Sequence, residues 1–197
     1  IETRLMQLIN KRVLRSTQYQ KYGCSMDACE YMFGKGCGTI IHNAIELKKF
    51  KYDEKKRDVL RKKYGIEDNI VVVGFVGRIQ YQKNPTFLIE IFNEFYKLNP
   101  NSRLAIIGTG TMEVECRALV RKLNLDDRVL FLGMQKETSN YYSMFDIFLF
   151  PSLFEGLGVV LVEAQAAGLQ CLVSNAVPDE VMITPLVKKH QLSDSTH

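Results

Sequence analysis

The sequence predicts an α/β protein, a parallel sheet covered by helices on both faces. Three observations predict it. Apolar runs recur at Ile40–Ile41, Ile70–Val76, Leu104–Ile107, Val129–Leu132, Ile147–Phe150 and Cys171–Val173. They lack the polar alternation of a half-exposed strand, so both of their faces are expected to be buried. Helical stretches lie between them at the spacing of βαβ units, and right-handed crossovers then give a doubly wound, Rossmann-like sheet.

Residues 1–38 have a different texture from the rest. Leu5, Leu8, Ile9, Arg12 and Val13 fall at helical spacing. A short strand-like Tyr22–Cys24 follows, and then a helix with Ser25 as N-cap and Asp27 in its first turn. Gly34, Gly36 and Gly38 break the chain. This segment reads as the tail of a preceding domain and a linker, with residues 39–197 as the next domain. The chain opens at Ile1, not Met, and reads as a fragment.

Within 39–197 the helices follow the strands. Pro85 to Leu98 carries Phe87, Leu88, Ile91, Phe92, Phe95 and Leu98 on one stripe, with Asn84 as cap and Pro85 at the first helical position. Glu113–Leu123 and Gly158–Ala167 are the next two.

Composition bounds the function classes. At 197 residues and 46% hydrophobic, the chain is long and apolar enough for a real core, which excludes general disorder. No apolar run approaches the ~18 residues of a membrane span, and no secretory leader pattern is visible. The five cysteines, Cys24, Cys29, Cys37, Cys116 and Cys171, are odd in number and never spaced CxxC, which fits free thiols in a reducing cytosol. The histidines His42, His190 and His197 are scattered, so no zinc pattern emerges. The net charge of +4 is concentrated between Glu46 and Lys63, where nine Lys or Arg face four Asp or Glu. Such a stretch is a solvated helix face or a patch attracted to anionic lipid or nucleic acid. The aromatic interleaving of a nucleic-acid platform is missing beyond Tyr52 and Tyr64.

In a doubly wound sheet, ligands bind beyond the carboxyl ends of the strands. The loop after the 70–76 run reads Gly77-Arg78-Ile79-Gln80-Tyr81-Gln82-Lys83, placing two cations five residues apart. Arg78 suits a phosphate as a planar fork and Lys83 as a mobile point charge; by themselves they are equally two surface cations. Gly108-Thr109-Gly110 follows the next strand. The third glycine of a dinucleotide fingerprint is absent, with Glu113 in its place, and no ribose acid closes the following strand. The pair is read as a tight turn that lets a ligand approach the backbone.

The most informative stretch starts at Pro151. Gly156 and Gly158 precede a helix and free the amides at its positive end, a phosphate-binding arrangement. Glu155 lies beside it. Glu163 sits inside the helix, about 40° from Val159 at about 100° per residue, among Val159, Val160, Ala166 and Ala167. A carboxylate there is costly without polar partners. Ribose hydroxyls would serve, and so would a neighbouring protein group. No Asp-x-Asp occurs, so no metal clamp for a diphosphate is evident.

The Gly77-Arg78…Lys83 loop, Glu155-Gly156-Leu157-Gly158…Glu163 and the trailing Ala164-Gln165-Ala166-Ala167-Gly168 resemble the retaining GT-B glycosyltransferases of family 4. Ile41-His42-Asn43-Ala44-Ile45-Glu46…Phe50 is similar to that family's interdomain segment, where Pro-Asn-Gly-Val-Asp is common; His42, Ala44 and Glu46 depart from it. Tyr22-Gly23-Cys24-Ser25…Ala28…Tyr31-Met32-Phe33-Gly34 most resembles the branch that builds bacterial capsules and exopolysaccharides.

The resemblance implies the C-terminal, donor-binding half of a two-domain enzyme, one half of a GT-B fold, cut short at its end. It implies hexosyl transfer with retention from a nucleotide-diphosphate sugar, a UDP-sugar in this branch, without metal or other cofactor. The acceptor, a polysaccharide or lipid-linked glycan, would sit on the N-terminal domain, so this fragment alone is expected to be inactive. Arg78 and Lys83 would hold the leaving diphosphate, and Glu155 the donor sugar. Gly156, Leu157 and Gly158 would contact phosphate or sugar, and Glu163 the ribose. Gly77 and Gly108 would line the site, and the base would rest near Gly133-Met134. A cytoplasmic location follows, with peripheral association at the inner membrane face through the Lys48–Lys63 stretch left open; no nucleic-acid partner is expected.

Other readings compete. An NAD-binding dehydrogenase predicts the missing third glycine and ribose acid. A GT-B sugar-nucleotide 2-epimerase shares the same motifs, whereas a phosphorylase needs a cofactor lysine with no clear candidate. A non-catalytic sugar-nucleotide-binding or membrane-docking module completes the set.

Overall fold

The computed structural model describes residues 2–16 and 18–192, by backbone alone for residues 2–5 and 7. The Leu5 side chain and His197 lie outside the described residues.

Six strands form one parallel sheet: β3 (Val71–Val76), β4 (Ser102–Ile107), β5 (Val129–Gly133), β6 (Ile147–Phe150), β7 (Gln170–Ser174) and β8 (Val187–His190), in the order β5-β4-β3-β6-β7-β8. The order reverses between β3 and β6, so a crevice opens where their carboxyl-end loops diverge. The central strands are apolar throughout because helices cover both faces. Phe75, Ile106, Phe148 and Phe150 are fully buried, and the rings of Phe75 and Phe150 stack at 6.0 Å. The doubly wound prediction therefore holds, and α/β describes the chain.

Helix α5 (Pro85–Leu98) has the predicted bounds and buries Leu88, Ile89 and Phe92. Asn84 precedes it, but in the left-handed region (φ 51°) and without a side-chain cap bond. It also ends a 3-10 turn over Tyr81–Lys83, its N–H donating to Tyr81 O at 3.0 Å, and asparagine is one of the few residues that tolerate that conformation. Helices α6 (Glu113–Lys122) and α8 (Val159–Ala166) fall where expected.

The leading segment holds α1 (Glu2–Ser16), β1 (Tyr22–Gly23) and α2 (Met26–Phe33), with Ser25 capping α2 by accepting the Ala28 N–H at 3.2 Å. The 40–41 run differs from its prediction. Its strand β2 (Thr39–Ile40) pairs with β1, not with the large sheet. The edge strand β8 was not foreseen, because Val187-Lys188-Lys189-His190 lacks an apolar run.

The basic stretch folds as α3 (Leu47–Phe50) and α4 (Glu54–Lys63). It is not wholly a solvated face, because two of its cations turn inward. Arg61, 2% exposed, donates to the Glu67 carbonyl at 2.8 Å, the Ile70 carbonyl, the Met144 carbonyl at 3.3 Å and Asp146 Oδ2 at 3.3 Å. Arg57 donates to Asp146 Oδ1 at 2.7 Å. Asp146 also accepts the Val72 N–H at 2.7 Å, so the cluster pins α4 to the starts of β3 and β6. Lys48, Lys49, Lys51, Lys55, Lys62 and Lys63 remain exposed. All five cysteines are free thiols, and no described helix is long and apolar enough to cross a membrane.

Candidate functional site

The sequence-predicted residues converge at the carboxyl ends of β3, β4, β5 and β6. Gly108 has φ 130°, and a Cβ there would lie 2.0 Å from the Gly77 carbonyl oxygen. A Cβ at Gly110 would lie 2.1 Å from the Ile79 carbonyl oxygen. Only glycine lets the loops after β3 and β4 touch by backbone. They are joined further by Ile79 N–H to Thr109 O and Met112 N–H to Ile79 O, each 3.0 Å. Gly108 N–H donates to Gly133 O at 2.8 Å, bringing the loop after β5 into the same rim. Met134 on that loop stands 80% exposed.

The loop after β6 is tied to the same place. Leu153 N–H donates to Gln82 O at 2.9 Å, and Gln82 Nε2 donates to Phe154 O at 3.0 Å. These bonds set Lys83 against Glu155. Lys83 Nζ lies 2.5 Å from Glu155 Oε1, with the two side chains 13% and 5% exposed. The ammonium also sits 4.6 Å from the centre of the Phe150 ring. A pair so desolvated interacts more strongly than a surface pair, and each charge needs the other. The Arg78 side chain, by contrast, is exposed and has no ionic or hydrogen-bonded partner among the described residues.

Glycine 158 opens α8. It occupies the N-cap position at φ 83°, and Glu155 Cγ lies 3.8 Å from where its Cβ would be. The first amides of α8, Val159 and Val160, have no intrahelical acceptor and carry the helix's positive end. Leu157 is 7% exposed and part of the core, so its side chain serves packing and only its backbone faces the loop.

Glu163 is half-buried, as the helical wheel requires, and the structure supplies a protein partner. Tyr142, fully buried on α7 (Ser139–Tyr142), donates its hydroxyl to Glu163 Oε2 at 2.6 Å. Glu163 Oε1 has no hydrogen-bond partner among the described residues. Burial pushes the Glu163 carboxyl above its ordinary range, against the pull of the tyrosine bond. Burial and the carboxylate both push the Tyr142 hydroxyl well up. The Tyr142 ring packs edge-on against Phe50 at 5.7 Å, so the segment before α4 braces the acid.

Arg78, the Lys83–Glu155 pair, Gly77, Gly108 and Gly158 thus line one rim, with Glu163 on the second turn of the helix that Gly158 opens. Tyr142 was missed in the sequence because it lies 21 residues from its partner on another element, and no local pattern links them. Gln82 was likewise passed over; its only signal was its place between the two cations.

Comparison with known proteins agrees with this architecture. EpsF of Bacillus subtilis strain 168, named as a glycosyltransferase, is 31% identical over 183 residues, which is 90% of this chain and 48% of EpsF. The Escherichia coli UDP-Gal:alpha-D-GlcNAc-diphosphoundecaprenol alpha-1,3-galactosyltransferase is 34% identical over 140 residues, 70% of this chain and 36% of that protein. The chain therefore spans about half the length, or less, of these relatives. The crystal structure of Anabaena Alr3699/HepE in complex with UDP and glucose superposes with a TM-score of 0.83 at 18% identity, over 94% of this chain and 52% of that one, so the sheet is that of GT-B glycosyltransferases. Residues 56–189 match the family model of glycosyl transferases group 1, and the chain belongs to that family.

Proposed function

We propose that this chain is the donor-binding half of a retaining, family 4 glycosyltransferase. It takes a UDP-sugar and delivers a hexosyl group to a polysaccharide or lipid-linked acceptor, without a metal. One observation carries the reading: Arg78, the buried Lys83–Glu155 pair and the Gly158-opened end of α8 meet at one rim, at the point where the strand order reverses.

The mechanism follows from where charge grows. Breaking the sugar–phosphate bond leaves negative charge on the diphosphate and an oxocarbenium-like sugar. The Arg78 side chain, free of protein partners, and the α8 amides supply fixed positive groups for the diphosphate. Lys83 faces the same space while Glu155 holds it in place, and the Glu155 carboxylate is then also set to meet the donor sugar. Glu163 Oε1 accepts from a ribose hydroxyl while Tyr142 holds Oε2. The base rests on the Gly133–Met134 loop.

The relatives support the acceptor class. The E. coli protein is named for a diphosphoundecaprenol-linked acceptor, and a Campylobacter jejuni relative, 30% identical over 147 residues, for another. On this reading the enzyme works in the cytoplasm, at the inner face of the membrane, where it would meet a lipid-linked acceptor.

Calorimetry with UDP, GDP, ADP and NAD, with and without magnesium, tests this. UDP binding that is independent of magnesium and lost in Glu163→Ala is the expected result. Binding of NAD alone overturns the proposal.

A further inference from the structure

Beyond the β1–β2 pairing, one turn of the leading segment reaches the main sheet domain through hydrogen bonds. Cys24 Sγ lies 3.6 Å from the Gly156 carbonyl oxygen, the Ser25 hydroxyl donates to the same oxygen, and Met26 N–H donates to Glu180 Oε1 at 2.7 Å. Ser25 is completely buried. Its hydroxyl works in both directions, accepting from Ala28 N–H to cap α2 while donating its one hydrogen to Gly156. Two donors on one carbonyl occupy both of its lone pairs.

Gly156 lies between Glu155, which holds Lys83, and Gly158, which opens α8. It is itself exposed, and a side chain there would meet nothing closer than Cys24 Sγ at 3.9 Å. The carbonyl is thus the handle by which the loop is held. Glu180 belongs to the 3-10 turn after β7 (Asp179–Val181), so the same turn of the leading segment grips two neighbouring loops of the sheet domain.

We infer that Ser25 is a positioning residue for the donor loop: with Cys24 and Met26 it forms a latch that fixes the Gly156 carbonyl and sets Glu155 and the α8 amides for a nucleotide diphosphate. The inference rests on the reading of this rim as the donor site. It makes the leading segment part of the site's machinery rather than a passive linker. Nothing in the local sequence distinguishes this second use of Ser25 from its use as a helix cap.

The two uses separate by substitution. Aspartate caps a helix as well as serine, but an ionised carboxylate has no hydrogen to give Gly156. Glycine also caps with little loss and offers no hydroxyl. Amide hydrogen exchange on the nucleotide-free chain reads both ends. In Ser25→Asp and Ser25→Gly, the Cys29 and Gly34 amides, bonded to Ser25 O and Glu30 O within α2, keep their wild-type protection. The Leu153 and Leu161 amides, bonded to Gln82 O and Gly158 O on either side of the loop, exchange at least about fivefold faster. UDP affinity in the same two variants falls about tenfold. Loop amides that exchange at the wild-type rate while the helix stays intact overturn the latch. Failure of the wild-type chain to bind UDP overturns the donor reading instead, and the exchange data still decide whether Ser25 holds the loop.

Discussion

Tyr142→Phe tests the Glu163 environment with little disturbance elsewhere. Phenylalanine keeps the ring and its edge contacts with Phe50 at 5.7 Å and Phe145 at 6.0 Å, and removes only the hydroxyl. That hydroxyl gives Glu163 Oε2 a 2.6 Å bond. A hydrogen bond to a charged group contributes roughly 1.5–3 kcal/mol; with half of the carboxylate still open to water, about 1–1.5 kcal/mol is expected at pH 8. The sign with pH is fixed by linkage. Glu163 binds its proton more readily in the folded protein than in the unfolded chain, because burial raises its pKa. Glu163 alone therefore makes stability fall as pH rises from the ordinary carboxylate range through its raised value. The tyrosine bond opposes this by favouring the charged form. The cost of Tyr142→Phe is then largest above that window and shrinks as pH drops and Glu163 takes up its proton. Urea unfolding of the wild type, Tyr142→Phe, Glu163→Gln and the double variant at pH 8 and pH 5 measures the coupling, expected at about 1 kcal/mol at the higher pH and smaller at the lower. A pH-independent cost, or no coupling at pH 8, refutes the argument.

Three further outcomes are expected. Gly108→Ala places a Cβ 2.0 Å from the Gly77 carbonyl oxygen at φ 130°, so thermal melting should show a loss of about 3 kcal/mol or more, or no folded protein. Arg61→Met strips the Glu67 and Ile70 carbonyls of their buried donor and should cost about 3 kcal/mol in urea unfolding, whereas the adjacent exposed Lys62→Met should stay within about 0.5 kcal/mol. Arg78→Ala should leave melting unchanged, because the side chain is exposed and unpartnered, yet lower turnover of the full-length enzyme at least about a hundredfold, since a lost charge-assisted contact costs roughly 2–4 kcal/mol of barrier.

The parts that were legible in the sequence depend on neighbours along the chain. Asn84-Pro85 starts α5 because proline pre-sets the first helical residue, and Ser25 caps α2 through an amide three residues on. The central strands were legible because burial on both faces removes their polar residues. What was not legible depends on partners far away in sequence. Arg61 looks like any other cation of its helix until Asp146, 85 residues later, folds against it. Lys83 and Glu155 were each singled out, but not as a pair, since the bonds that bring them together, Leu153 N–H to the Gln82 carbonyl and the Gln82 side-chain amide to the Phe154 carbonyl, link residues far apart in the sequence. The helical wheel identified Glu163 as a carboxylate in need of a partner and left that partner open; the fold supplies Tyr142 for one oxygen and leaves the other free for a ligand.

The most direct test of the account is a crystal structure of this chain with UDP. The diphosphate is expected within hydrogen-bonding distance of the Val159 and Val160 amides and of Arg78, with a ribose hydroxyl on Glu163 Oε1. UDP seated elsewhere, for example in the apolar groove between Phe87, Leu149, Leu172 and His190, with Arg78 and Glu163 untouched, would contradict it.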